Sequence, residues 1–260
     1  MKLKLKAPAK INLGLKILGK LDNGFHEVET IYAQIGLFDL IELEVITEDK
    51  IEFKDKNNLV YKTVQLIKDE LRVNKGVRIK LIKKIPIGSG LGGGSSDAAV
   101  VLKGLNKLWK LGLSEKELVK LGLKLGSDVG YQVVGGIKKE IQGGEQAGKF
   151  EKIKEKIDGW VVVVWPDLFI SSKEAYKGVE YEKINKTELL WHNDFEIWTF
   201  KQYPELKMIK ERLIKLGAEK SLLSGKGSAV FGWFKEKSLA KKAENEMKKQ
   251  YNQTFGVKIL

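Results

Sequence analysis

Five of the seven residues 88–94 are glycine, inside the run Pro-Ile-Gly-Ser-Gly-Leu-Gly-Gly-Gly-Ser-Ser-Asp-Ala-Ala that spans 86–99. Each glycine in the interior of a helix or strand costs about 0.5–1 kcal/mol, so a core element through this stretch is disfavoured. The flanks are regular. Val77, Ile79 and Leu81, followed by Ile85, predict a strand over 77–85 that runs straight into Pro86. Ala98, Leu102, Leu105 and Trp109 share one face of a predicted helix over 97–109. A bare-backbone turn that empties into a helix N-terminus offers unpaired N–H donors and the positive end of the helix dipole. That is an anion cradle, and Ser95 and Ser96 add hydroxyls to it.

Several phosphate-binding classes share glycine-rich turns, and the neighbouring residues separate them. Gly88, Gly90 and Gly93 satisfy G-x-G-x-x-G literally. A dinucleotide site, however, needs a strand after the first helix, with an acidic residue about 20 residues on. Here a second helix follows over 115–125, opened by the capping box Ser114–Glu117, and no strand lies in range. No Gly-Lys-Ser/Thr triplet stands where a Walker A loop requires one. The His-Arg-Asp and Asp-Phe-Gly triplets of protein kinases are absent, and the only histidines are His26 and His192.

Around this turn the sequence predicts strands over 3–7, 11–18 and 29–44, broken by an Asn-Gly turn at Asn23-Gly24, and a helix over 58–71. Glycine pairs at 135–136 and 143–144 bracket a short strand. A buried strand over 160–165, a helix over 204–216 with Pro204 in its first turn, strands at 220–223 and 229–234, a helix over 237–250 and a strand at 255–260 complete an α+β chain. The expected division is 1–150 and 151–260. Hydrophobic residues at 43% and charged residues at 31% fit a soluble globular protein, and the N-terminal Lys/Leu alternation lacks the apolar block of a signal peptide. Cytoplasm is the expected location, with no membrane partner. No cysteine is present, which excludes disulfides and thiolate metal sites. The net charge of +13 invites a nucleic-acid reading, but 34 acidic residues are dispersed among the bases and no RNA-binding aromatic signature accompanies them. No specific nucleic-acid partner is expected; a polyanionic small substrate is compatible with the charge.

Three segments in order resemble the GHMP kinases: Ala-Pro-Ala-Lys-Ile-Asn-Leu-Gly-Leu at 7–15, the glycine run at 86–99, and Leu-Ser-Gly-Lys-Gly-Ser-Ala-Val-Phe-Gly at 223–232. Gly-Phe-His-Glu-Val at 24–28, Gly-Ser-Asp-Val at 126–129 and His-Asn-Asp-Phe-Glu at 192–196 narrow the resemblance to the 4-diphosphocytidyl-2-C-methyl-D-erythritol kinases. The resemblance spans most of the chain. It implies a two-lobed α+β fold, the N-terminal lobe like domain 2 of ribosomal protein S5 and the C-terminal lobe ferredoxin-like. ATP with Mg2+ and the cytidine diphosphate-linked methylerythritol are the implied ligands, on a monomer or weak dimer.

Carried over position by position, the resemblance makes Lys10 and Asp128 the catalytic pair. Pro86, Gly88, Ser89, Gly90, Leu91, Gly92, Gly93, Gly94, Ser95, Ser96, Asn58 and Lys84 would bind ATP. Asn12, Phe25, His26, Tyr32, Tyr176, Gly225 and Gly227 would hold the acceptor, with His26 reading the cytosine edge and aromatics flanking its ring. The metal ligand is left open; a hydroxyl of Ser95 or Ser96 is the candidate. Two departures stand out. Lys226 replaces the serine usual in the third motif, and Gly130-Tyr131-Gln132 replaces Pro-Phe-Phe after Asp128-Val129.

Overall fold

A computed structural model describes residues 1–22, 24, 26–143, 147–179 and 188–260. Its residues fall into two compact units that interleave along the sequence. Unit 1 comprises Met1–Ala9, Phe38–Ile85 and Gly92–Gly135; unit 2 comprises Lys10–Leu37, Pro86–Leu91 and Gly136–Leu260. Two long strands, β1 (Lys2–Lys20) and β2 (His26–Ile46), contribute to both. They meet at a tight turn in which Gly24 N–H donates to the Leu21 carbonyl over 2.9 Å. Where the sequence predicted two strands before that turn, one continuous strand is found.

Unit 1 is a sheet with helices. Its strand order is β1-β2-β4-β3, with β3 (Ile51–Glu52) parallel to β4 (Gly76–Ile82) and β4 antiparallel to β2 in the register Leu43↔Ile79. Four helices complete it: α1 (Leu59–Leu71), α2 (Gly93–Trp109), α3 (Glu115–Leu125) and α4 (Ser127–Val134). Val60, Val64 and Ile67 of α1, Val101, Leu102 and Leu105 of α2, and Leu43 of β2 are buried. Gly104 lets α2 approach the sheet, since a Cβ there would stand 2.5 Å from a Leu43 methyl and 2.8 Å from a Leu5 methyl. The capping box of Ser114 and Glu117 forms as predicted.

Helix α2 begins at Gly93, ahead of the predicted start at 97. First-turn N–H groups have no intrahelical acceptor whichever residue carries them, so glycines are tolerated there better than in mid-helix. Gly92 caps the helix with φ +66°. Helix α4 carries no helical signal beyond its short length. It forms by packing on α3, where a Cβ at Gly122 would lie 3.2 Å from a Val129 methyl and 3.3 Å from the Gly130 amide nitrogen.

Unit 2 contains β5 (Ile137–Gln142), antiparallel to β2 with Val28↔Gln142, and a second sheet. That sheet is built from β6 (Trp160–Trp165), β7 (Lys220–Leu223), β8 (Val230–Phe234) and β9 (Gln253–Lys258), all pairs antiparallel, in the order β7-β8-β6-β9. With α7 (Pro204–Lys215) between β6 and β7 and α8 (Lys237–Lys248) between β8 and β9, it follows the βαββαβ path of ferredoxin-like modules. Two short helices, α5 (Ser172–Lys177) and α6 (Phe195–Gln202), lie in the connection before α7 and have no single apolar stripe to announce them. Val162, Val164, Leu206, Ile209, Phe234 and Met247 centre the core of this unit.

Candidate active site

The glycine turn is divided between the units: residues 86–91 belong to unit 2, and Gly92 onward to unit 1. The unit 2 half is fastened by hydrogen bonds from three directions. Lys10 N–H donates to the Leu91 carbonyl (2.9 Å), Ala229 N–H to the Ser89 carbonyl (2.9 Å), and the Ser224 hydroxyl to the Gly90 carbonyl (3.1 Å). The Ser89 hydroxyl closes the turn on itself by donating to the Pro86 carbonyl (2.7 Å). All three sequence motifs therefore meet in this unit through main-chain bonds. Gly88 and Gly90 adopt φ +75° and +84°, a region that disfavours other residues. Leu91 is fully buried, so its side chain belongs to the core.

Beside the turn stands a buried polar chain. Lys10 is 4% exposed, and its Nζ donates to Asn12 Oδ1 over 2.7 Å. Asn12 Nδ2 donates to the Thr30 hydroxyl (2.8 Å), which donates in turn to the Gly14 carbonyl (2.7 Å). The amide oxygen orients the ammonium. Gly225 comes close, where a Cβ would be 3.4 Å from Asn12 Oδ1 and 3.6 Å from Lys10 Nζ. Gly227 turns back on its own loop, its N–H donating to the Ser224 carbonyl (3.0 Å).

Tyr32 departs from expectation. It is 1% exposed, with Lys10 Nζ 5.5 Å from its ring centroid and its hydroxyl accepting from Gln142 Nε2. Burial leaves it no open face for a ligand ring, and it forms a floor under Lys10 instead. His26 and Tyr176 stack on each other, centroids 4.3 Å apart and 11° from parallel, with Phe195 edge-on to Tyr176 at 5.0 Å. Burial, then Lys20, hold the His26 pKa below its ordinary value. Phe25 lies outside the described residues.

In unit 1 the turn continues into α2. Ser95 is half-buried and Ser96 fully buried, its Oγ without a hydrogen-bond partner among the described residues. Just beyond lies a charge cluster that sequence reading missed. Lys83 Nζ donates to Asp97 Oδ2 (2.7 Å) and to Asp39 Oδ2, while Asp39 Oδ1 accepts from the Lys84 (2.5 Å) and Ile85 (2.9 Å) amides. Burial pushes the Asp97 carboxyl up to about 7, against the pull of Lys83 and with a further push from Asp39. A Cβ at Gly93 would stand 3.2 Å from Lys83 Nζ, so it is Lys83, not the exposed Lys84, whose ammonium reaches the helix start. Asn58 is the N-cap of α1, its Oδ1 accepting from Val60 N–H (3.0 Å). Asp128 sits in the first turn of α4, and its charge adds to burial in raising the Tyr131 pKa well above the ordinary value.

A family model of the GHMP kinases N terminal domain matches residues 58–138, and one of the GHMP kinases C terminal matches 184–253. The 4-diphosphocytidyl-2-C-methyl-D-erythritol kinase of Bacillus mycoides (strain KBAB4) is 39% identical over an alignment taking in 100% of this chain and 98% of that protein. This chain belongs to that family of GHMP kinases. The counterpart in Geobacillus thermodenitrificans (strain NG80-2) is 37% identical with the same coverage. A crystal structure of 4-(cytidine 5'-diphospho)-2C-methyl-D-erythritol kinase superposes with a TM-score of 0.87 at 29% identity, covering 99% of each chain. The mevalonate kinase of Methanococcus jannaschii shares the fold, with a TM-score of 0.72 at 18% identity over 100% of this chain and 99% of that one.

The chain is thus an ATP-using GHMP kinase of α+β fold, and one further segment of it acquires a role in the structure. Asn193, in the 192–196 segment, donates from Nδ2 to the carbonyls of Leu223 and Gly225 (2.8 Å each) and accepts from Phe195 N–H (3.0 Å). Asp194 accepts from Ile17 N–H (2.8 Å) and holds His192 Nε2 at 2.6 Å. The segment therefore pins the third motif and β1 of this kinase, a role that no local pattern announces. Among the described residues no group of three or more His, Asp or Glu forms a metal cluster, and no helix is long and apolar enough to cross a membrane.

Proposed function

We propose that this kinase transfers the γ-phosphoryl group of ATP to the 2-hydroxyl of 4-diphosphocytidyl-2-C-methyl-D-erythritol. The observation that carries the reading is Lys10: a buried ammonium, oriented by Asn12 and tied by its own backbone to the glycine turn. The acceptor oxygen attacks the γ-phosphorus, the bond from that phosphorus to the β,γ-bridging oxygen breaks, and ADP leaves. Asp128 takes the proton of the hydroxyl, and Lys10 steadies charge on the transferring group. Most of the catalysis is positioning and electrostatic, supplied by the turn, the start of α2 and Lys10. Asn12 orients the methylerythritol end, and His26 with Tyr176 receives the cytosine once their mutual stack opens.

Magnesium, bound with the ATP phosphates, would neutralise phosphate charge. The Ser96 hydroxyl, buried and without a partner among the described residues at the start of α2, fits the oxygen ligand such a hard cation prefers. Asn58 and Lys84 are proposed for the adenine end, though the Asn58 side chain already serves as a helix cap.

A coupled ADP-release assay across the cytidyl substrate, mevalonate and homoserine tests the assignment. Turnover with the first alone is expected. Turnover confined to mevalonate or homoserine would make the chain a GHMP kinase of different acceptor specificity.

A further inference from the structure

Lys226 is the third-motif residue that departs from the usual serine, and nothing in the proposed chemistry uses it. Its Nζ donates to the Ile170 carbonyl and lies 5.4 Å from the centroid of the Phe169 ring. The neighbouring carbonyl, Leu168, accepts from the Ser228 hydroxyl and from Trp165 Nε1 (3.2 Å). Trp165 Nε1 also reaches the Ser228 hydroxyl over 3.0 Å. Two side chains of the third-motif loop thus grip the carbonyls on either side of Phe169. Asp167, at φ +58°, turns the chain sharply just before them, and Ile170 is anchored in the core at 0% exposure.

What this grip holds in place is unusual. Phe169 is 66% exposed, yet its ring lies against the glycine turn: a Cβ at Gly88 would stand 2.5 Å from Cδ2 and 2.8 Å from Cε2. A solvent-facing phenyl ring gains little from burial here and, without a restraint, would sample other rotamers. A serine at 226 is too short to supply that restraint. The long lysine stem places an ammonium over the ring face while satisfying the Ile170 carbonyl, so one side chain fixes both backbone and ring.

We propose that Lys226 is a positioning residue for the phosphate-carrying turn: through Ile170 and Phe169 it braces Gly88, and so sets how tightly the turn grips the nucleotide. The inference rests on the kinase reading above. Its test is binding of a non-hydrolysable ATP analogue by calorimetry to the full chain, with steady-state kinetics alongside. Lys226→Met keeps the stem and loses the donor; it should weaken analogue binding and raise the ATP KM about tenfold, which is about 1.4 kcal/mol, with most of the loss in affinity rather than kcat. Phe169→Ala should give a similar loss, and the double variant no more than Phe169→Ala alone, because the lysine acts through the ring. Lys226→Arg, which keeps a donor and a cation, should stay within about threefold of wild type on the same binding scale. Wild-type affinity in Lys226→Met, additive losses in the double variant, or a silent Phe169→Ala beside a weakened Lys226→Met would each overturn the proposal; the last would mean direct contact with phosphate. A wild-type chain that does not bind the analogue would overturn the kinase reading together with this one.

Discussion

Lys10 of unit 2 is buried and Lys83 of unit 1 is partly exposed, and the hydrogen-bond partners of the two ammonium groups differ in kind. Lys10 of unit 2 donates to a neutral amide, itself part of a chain of hydrogen bonds that ends on a backbone carbonyl. Lys83 of unit 1 is clasped by two carboxylates, those of Asp39 and Asp97, that are almost wholly buried. The Asn12 amide oxygen orients the Lys10 ammonium. Asp39 and Asp97 bind the segment after β4, the helix start and the lysine into one structural knot. The comparison teaches that a lysine beside the glycine run can serve as a structural tie, as Lys83 does between Asp39 and Asp97.

That contrast can be broken most directly by exchanging charge for bulk. Asp128→Asn and Lys10→Met should each lower kcat about 10³-fold, roughly 4 kcal/mol of transition-state stabilisation, with ATP-analogue binding nearly intact for Asp128→Asn. Lys83→Met should act on the fold, because it leaves the buried carboxyl groups of Asp39 and Asp97 without their shared cation. A loss of about 3–5 kcal/mol is expected, read as a lowered melting temperature and denaturant midpoint. If Lys83→Met left stability unchanged and abolished turnover, Lys83 would belong with Lys10 and the contrast would fail.

The titration of Asp97 sharpens the same point. Its carboxyl is raised to about 7 in the fold, so it stays protonated there at pH values where the unfolded chain has already released the proton. Its contribution to stability is therefore fully present below the ordinary carboxylate range and is lost as pH climbs through about 7. Asp97→Asn does not titrate, so the melting temperature of wild type should fall relative to this variant between pH 4 and pH 8. A constant difference across that range would show that Lys83 holds Asp97 ionised throughout. The smallest effect concerns Asn58. Its cap on α1 is worth about 1 kcal/mol, and Asn58→Ala should cost that much stability. A raised ATP KM in the same variant would give the residue a second role at the nucleotide.

Much of the fold was legible because its signals are local. The Ser114–Glu117 box, Pro204 at the head of α7 and the apolar stripe of α1 act within a few residues of themselves, and each element formed where those signals stand. Helices α4 and α6 were not legible, because they exist by packing rather than by pattern. Among the candidate site residues, the glycine run stood out by composition, whereas Lys10 stood out only through the resemblance of its motif. Tyr32 was misread because nothing in its neighbourhood says that Lys10 and Gln142 will cover it.

The sequence by itself determined that a bare-backbone turn would lead into a helix, since five glycines in seven positions disfavour a core strand or mid-helix there. It also determined the family, through motifs whose order and composition stand in the chain. Tertiary structure alone decided that the turn would be divided at Leu91 between two units, that Lys83 rather than Lys84 would face the helix start, and that Asn193 and Lys226 would fasten loops far from them in sequence. Those outcomes depend on which carbonyl, carboxylate or ring arrives from residues tens to more than a hundred positions away, and only the completed packing settles that.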